Sequence, residues 1–115
     1  RLSVTFDGDL VDMVRCQYII KAIKELKLLE TMPERSSFFA NALKSFGVFD
    51  NIKATGFLFC LDMKDSKSRD IMVKKLHSNG MMVNPTGERS IRMRPNLATT
   101  MKEFSDAKII IENSL

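Results

Sequence analysis

The densest concentration of chemically capable side chains is Gly87-Glu88-Arg89-Ser90-Ile91-Arg92-Met93-Arg94-Pro95, which holds three arginines within six residues. In an extended strand successive side chains point to opposite faces, so Arg92 and Arg94 share one face and Ile91 and Met93 the other. Burying Ile91 and Met93 aims two guanidiniums outward. The planar guanidinium fork donates paired, charge-assisted hydrogen bonds to both oxygens of a carboxylate. Arg92 and Arg94 are therefore candidate carboxylate ligands. A solvated strand face dressed with surface ion pairs accounts for the same pattern.

Other chemistries find few residues. His77 is the sole histidine, and on a helix between Leu76 and Ser78 it reads as partly exposed or involved in capping. With no HxxxH, HExxH or clustered His/Cys set, no metal site is expected. No GxGxxG, P-loop or GxSxG sequence occurs. Asp62, Asp65, Asp70 and Glu88 lack the arrangement of a paired-carboxylate site. Lys44, Lys64, Lys74, Lys75 and Lys102 fall on polar helix faces or element ends, whereas a covalent-chemistry lysine needs a desolvated setting. The eight methionines read as core filler. Cys16 and Cys60 match neither a metal knuckle nor a CxxC pair. Both have apolar neighbours and read as buried, reduced thiols of an intracellular, cytoplasmic protein.

The elements that must position the arginines follow from periodicity. Asp9 precedes LVDMVRCQYIIKAIKELKLL and is placed to cap a long helix, with Asp12 in its first turn. That helix is too apolar in its first half for simple surface amphipathicity and requires a substantial cover. Pro33 is expected to open a second helix at its first position, with Phe38, Phe39, Ala42, Leu43 and Phe46 at helical spacing and Gly47 as its stop. Val48 to Lys53 reads as a strand, Thr55-Gly56 as a break and Phe57 to Met63 as a second strand. Apolar residues on both of its faces predict cover on both sides. A third helix follows Ser66 or Ser68 and ends at Asn79-Gly80. Met81 to Asn84 is a short strand, Pro85 to Glu88 a turn and Arg89 to Met93 the next strand. Thr100 and Glu103 form a capping box for a last helix.

This order predicts an α+β fold, a small, mostly antiparallel sheet with flanking helices. The length of 115 residues suits one domain. The charge, 18 − 14 = +4, is too dispersed to argue for nucleic-acid binding. There is no apolar run of membrane-spanning length and no secretory signal pattern at the start.

Four stretches carry a family resemblance. Val4-Thr5-Phe6-Asp7-Gly8-Asp9-Leu10-Val11-Asp12-Met13-Val14-Arg15 resembles the serine/threonine-tryptophan-glycine-glycine-asparagine region and following helix of class III aminotransferases, especially the lysine 6-aminotransferase branch. Ile52 to Asp62 resembles the family's glycine-rich strand pair. Gly80 to Pro85 is similar to the strand that follows the domain helix in that family. Gly87 to Leu97 resembles the stretch that in lysine and 4-aminobutyrate aminotransferases reads GE(R/K)SIRFRPPL. The resemblance runs collinearly over essentially the whole chain. It implies the C-terminal small domain of a fold-type I aminotransferase, with residues 1–8 leading in from a cofactor domain and residues 9–115 forming the small domain. It further implies pyridoxal 5′-phosphate as cofactor, an amino acid and a 2-oxo acid as substrates, and a homodimer. Arg92 would bind the substrate carboxylate, Arg94 would support it, and Thr5 would reach the cofactor phosphate of the neighbouring subunit. The lysine that holds the cofactor would lie upstream, so this chain alone is expected to be inactive. A 4-aminobutyrate or ornithine-type enzyme, and a stand-alone ligand-binding or interaction domain, remain as alternatives.

Overall fold

The computed structural model describes residues 8–115. The described residues form four helices and a four-stranded sheet: α1 Leu10–Glu25, α2 Leu28–Ser45, β1 Asn51–Thr55, β2 Leu58–Asp62, α3 Ser66–Ser78, β3 Asn84–Thr86, β4 Ser90–Met93 and α4 Met101–Glu112. The strand order is β1-β2-β4-β3, antiparallel at every pairing. The α+β class follows as expected.

Asp9 caps α1, its carboxylate accepting from the backbone N–H groups of Val11 and Asp12. The helix is shorter than its apolar run. Lys27 adopts a left-handed conformation (φ 49°), and its carbonyl accepts the first bonds of α2 from the backbone and hydroxyl of Thr31. Leu28 and Leu29 therefore open α2, and Pro33 lies inside that helix rather than at its first position. The ring removes the N–H that would bond the carbonyl of Leu29, and the side chain of Arg35 takes up carbonyls of this same turn, from Leu28 and Thr31.

The core forms where α2, α3 and α4 meet the sheet: Phe39, Leu43, Phe59, Leu61, Leu76, Ile91, Phe104 and Ile111 are each at most 1% exposed. Phe39 meets Phe59 edge-on at 5.1 Å and Phe104 at 4.8 Å, and Phe104 meets Phe57 edge-on at 5.2 Å. Such edge and tilted pairs align positive ring edges with negative faces.

The other sheet face is uncovered by any described element. Phe59 and Leu61 are buried, but Leu58 is exposed and Cys60 half-exposed, so β2 is not covered on both sides. All three core helices lie on one side, and α1 contributes no buried residue. Cys16, on α1, is exposed rather than buried for the same reason.

The strand boundaries shift for local reasons. The β1–β2 ladder begins at Asn51, with Asp50 adding one bond to the carbonyl of Asp62. Asp65, not Ser66 or Ser68, caps α3. Asn79 and Gly80 close it: Gly80 (φ 86°) donates to His77 and Met81 to Leu76, the paired bonds of a Schellman motif. With its N–H engaged there, Met81 cannot start a strand, and β3 begins at Asn84. His77 is exposed and its Nε2 bonds at Val83, tying the end of α3 to this connection. Pro85 and Thr86 belong to β3, an edge strand that tolerates proline. The capping box of α4 is complete in both directions.

Candidate functional site

The two candidate arginines emerge where their parity requires. Ile91 and Met93 are buried and Arg92 and Arg94 exposed. Arg92 lies within β4, opposite Cys60 on one side and Asn84 on the other. Cys60 in turn faces Lys53, so one cross-strand row on the open sheet face runs Lys53, Cys60, Arg92, Asn84. Among the described residues, neither Arg92 nor Arg94 makes a hydrogen bond or ion pair, while Arg89 is engaged with Asp50 and the carbonyls of Met63 and Lys64. Of the three clustered arginines, then, one holds the fold and two present guanidiniums without a partner among the described residues.

Arg92 and Arg94 do not share one cavity. Arg94 lines a cavity of about 190 Å³ together with Pro95, Thr99, Glu103, Met93 and Phe104, which Arg92 does not reach. Arg94 lies one residue past the end of β4, where the chain turns away toward α4.

Next to Arg92 along the open face is a polar row. Ser90 donates to Asp62 at 2.6 Å, and the Asn51 amide donates to the same carboxylate. The Ser90 hydroxyl is the main reason that the carboxyl of Asp62 is held below the usual carboxylate range; the Asn51 amide and the charges of Lys53 and Arg89 act in the same direction, and partial burial opposes them. Asp62 thus stays ionised and occupied by its own hydrogen bonds two residues from the Cys60–Arg92 pair.

Arg35 went unrecognised in the sequence. It is the sole charged residue among the buried side chains described, 7% exposed. Its Nη1 donates to the carbonyls of Leu97 (2.9 Å) and Thr99 (2.7 Å), its Nη2 to the carbonyl of Leu28 and the hydroxyl of Thr31, and its Nε to the carbonyl of Thr31. The guanidinium lies 5.0 Å from the centre of the Phe57 ring. The available signal was positional: Arg35 precedes Phe39 by one helical turn, on the stripe that Leu43 continues.

Thr5 lies outside the described residues. Among the described residues no group of three His, Cys, Asp or Glu side chains is placed to hold a metal, and no helix is long and apolar enough to cross a membrane. Pyridoxal phosphate requires an enclosed lysine, yet every described lysine is exposed except half-buried Lys108. The described residues therefore do not by themselves build that cofactor's site.

Comparison with known proteins places this fold. The class-III aminotransferase family matches residues 2–115. An L-lysine-epsilon aminotransferase of Amycolatopsis lactamdurans is 27% identical over all of this chain and 27% of its own length. An acetylornithine aminotransferase of Archaeoglobus fulgidus is 30% identical over 95% of this chain and 28% of its own length. In the lysine aminotransferase from M. tuberculosis solved in the internal aldimine form, the fold superposes with a TM-score of 0.91 at 24% identity, over 99% of this chain and 27% of that one. The chain belongs to the class-III aminotransferases. It spans about a quarter of the length of the curated relatives it matches.

Proposed function

We propose that residues 9–115 are the C-terminal small domain of a pyridoxal-phosphate-dependent transaminase, and that residues 1–8 lead in from its cofactor domain. In this reading the enzyme is a cytoplasmic homodimer that transfers an amino group from L-lysine to 2-oxoglutarate. The cofactor supplies the electron sink for the exchange. Arg92 binds the substrate carboxylate, Arg94 supports that end of the strand, and Thr5 reaches the cofactor phosphate of the neighbouring subunit.

The observation that supports this reading most is the state of Arg92. Its strand is fixed by the burial of Ile91 and Met93, and its guanidinium has no partner among the described residues. A rigidly mounted, unpaired guanidinium on an uncovered sheet face suits an incoming carboxylate. Similarity to lysine aminotransferases favours lysine as donor. A second reading, a 4-aminobutyrate or ornithine-type enzyme, draws on the 30% identical acetylornithine aminotransferase and on a 27% identical probable 4-aminobutyrate aminotransferase of Caenorhabditis elegans.

The experiment is a donor panel on the full-length protein loaded with pyridoxal phosphate. Lysine, 4-aminobutyrate, ornithine and N-acetylornithine are each offered with 2-oxoglutarate, and glutamate is measured. Highest kcat/KM with lysine supports the first reading; preference for another donor selects the second. No glutamate from any donor sinks both.

A further inference from the structure

A buried guanidinium without a carboxylate partner needs a physical reason. Removing a charge from water costs several kcal/mol unless every donor finds an acceptor. Arg35 meets that condition fully: an arginine has five N–H donors, and the five hydrogen bonds of Arg35 go to four backbone carbonyl contacts and one hydroxyl. An apolar residue of similar volume would fill the same space on the α2 stripe without the desolvation cost.

What the guanidinium adds is a connection. Leu97 and Thr99 lie in the irregular segment that leaves β4 after Met93 and leads through Arg94 and Pro95 to α4. Nη1 holds both of their carbonyls, and Nη2 and Nε hold the first turn of α2. The next residue, Ser36, donates to the carbonyl of Gly56 in the β1–β2 turn, and Phe57 of the same turn lies against the Arg35 guanidinium. Phe59 pairs with Met93 across the ladder, so this turn sits at the end of the sheet where Arg94 emerges. Arg35 and Ser36 thus clamp, from one helix turn, both chain segments that flank that end.

We infer that Arg35 is a positioning residue for Arg92: by lashing the Leu97–Thr99 segment to α2 it fixes the end of β4 and hence the aim of the Arg92 guanidinium at substrate. The inference rests on the proposed carboxylate-binding role of Arg92. A guanidinium turned off its aim loses the paired geometry on which its bond to a carboxylate depends. Lysine is a poor replacement for Arg35, because three donors on one nitrogen cannot reproduce the five hydrogen bonds that the guanidinium spreads over three nitrogens.

The test is a mutant cycle in the full-length holoenzyme with Arg35→Met, Arg92→Ala and the double variant, with Arg35→Lys as the milder substitute if Arg35→Met does not fold. KM for both carboxylate substrates, kcat per active site and Tm are measured for each. The expected result is a KM about tenfold higher in Arg35→Met or Arg35→Lys with kcat per active site changed less than threefold. In the Arg92→Ala background the Arg35 change should add almost nothing to KM, because residues acting through one contact are not additive. A lower Tm with unchanged KM would overturn the inference and leave Arg35 a purely structural residue. An equal KM increase in both backgrounds would also overturn it, since the effect would then bypass Arg92. Arg92→Ala measured alone separates the two levels: unchanged KM in that variant refutes the carboxylate-binding role itself, and with it the positioning role.

Discussion

The Ser90 hydroxyl donates to the Asp62 carboxylate at 2.6 Å, directly across the β2–β4 ladder and two residues from Arg92. The bond does two things. It keeps an acidic side chain on the open sheet face ionised, and it directs that carboxylate toward Ser90 and Asn51, leaving Arg92 without a partner among the described residues. Under the proposed carboxylate-binding role of Arg92, a carboxylate free to swing would compete with substrate for that guanidinium.

The pH dependence follows from the direction of the shift. Asp62 titrates below its ordinary value in the folded chain, chiefly through Ser90. The unfolded chain therefore binds the proton more readily, and the stabilisation is present above the ordinary carboxylate range and lost as pH falls through the folded value. Ser90→Ala should move the Asp62 midpoint upward in a carboxyl NMR titration. It should also lower stability at neutral pH by about 0.5–1 kcal/mol, with the difference from the parent closing under acid. An unchanged midpoint would show that the hydroxyl does not govern Asp62.

Gly80 closes α3 at φ 86°, with open space where a Cβ would stand. Gly80→Ala should therefore cost about 1–2 kcal/mol from backbone strain alone, without disturbing packing. Denaturant unfolding of the two proteins with equal m-values would report it. Equal midpoints would mean that the turn relaxes to another conformation at little cost.

The helix α1 exposes Val14 at 53% and Tyr18 at 68%, one turn apart, along with Leu10, Val11, Ile19 and Ile20. Apolar exposure of this extent is uncommon on a monomer. The isolated 13.1 kDa chain should self-associate in light scattering, and the double variant Val14→Glu/Tyr18→Glu should return it to monomer mass. A parent chain that stays monomeric across a wide concentration range would contradict this. The isolated chain should also lack transaminase activity, because no described lysine is enclosed.

Much of this architecture was legible in the residues themselves. The Asp9 cap, the Asn79-Gly80 stop and the Thr100–Glu103 box are short-range hydrogen-bond patterns, and each formed as read. The opposite facing of Arg92/Arg94 and Ile91/Met93 is a consequence of strand pleating, and the structure buries the second pair and exposes the first. What local patterns could not supply was the layering. The apolar residues Leu58 and Cys60 look like those of a doubly covered strand, but α2, α3 and α4 all pack on one side. Pro33 resembles a helix start because its ring suits that position, yet the left-handed Lys27 begins the helix earlier. Arg35 is not legible in the sequence, because an isolated arginine on a helix normally reaches solvent; its partners at Leu97 and Thr99 lie more than sixty residues away. Thr5 stands outside the described residues, so its implied phosphate contact remains part of the proposal.

The central claim is that Arg92, and not Arg94, receives the substrate carboxylate. The most direct measurement is steady-state kinetics of the full-length holoenzyme with Arg92→Ala and Arg94→Ala side by side, varying the amino acid and the 2-oxo acid separately. Loss of a charge-assisted carboxylate contact predicts a fall in kcat/KM of about 10- to 100-fold for both substrates in Arg92→Ala, with a markedly smaller effect in Arg94→Ala. Equal kcat/KM for Arg92→Ala and the parent, or a greater loss in Arg94→Ala, would contradict the account.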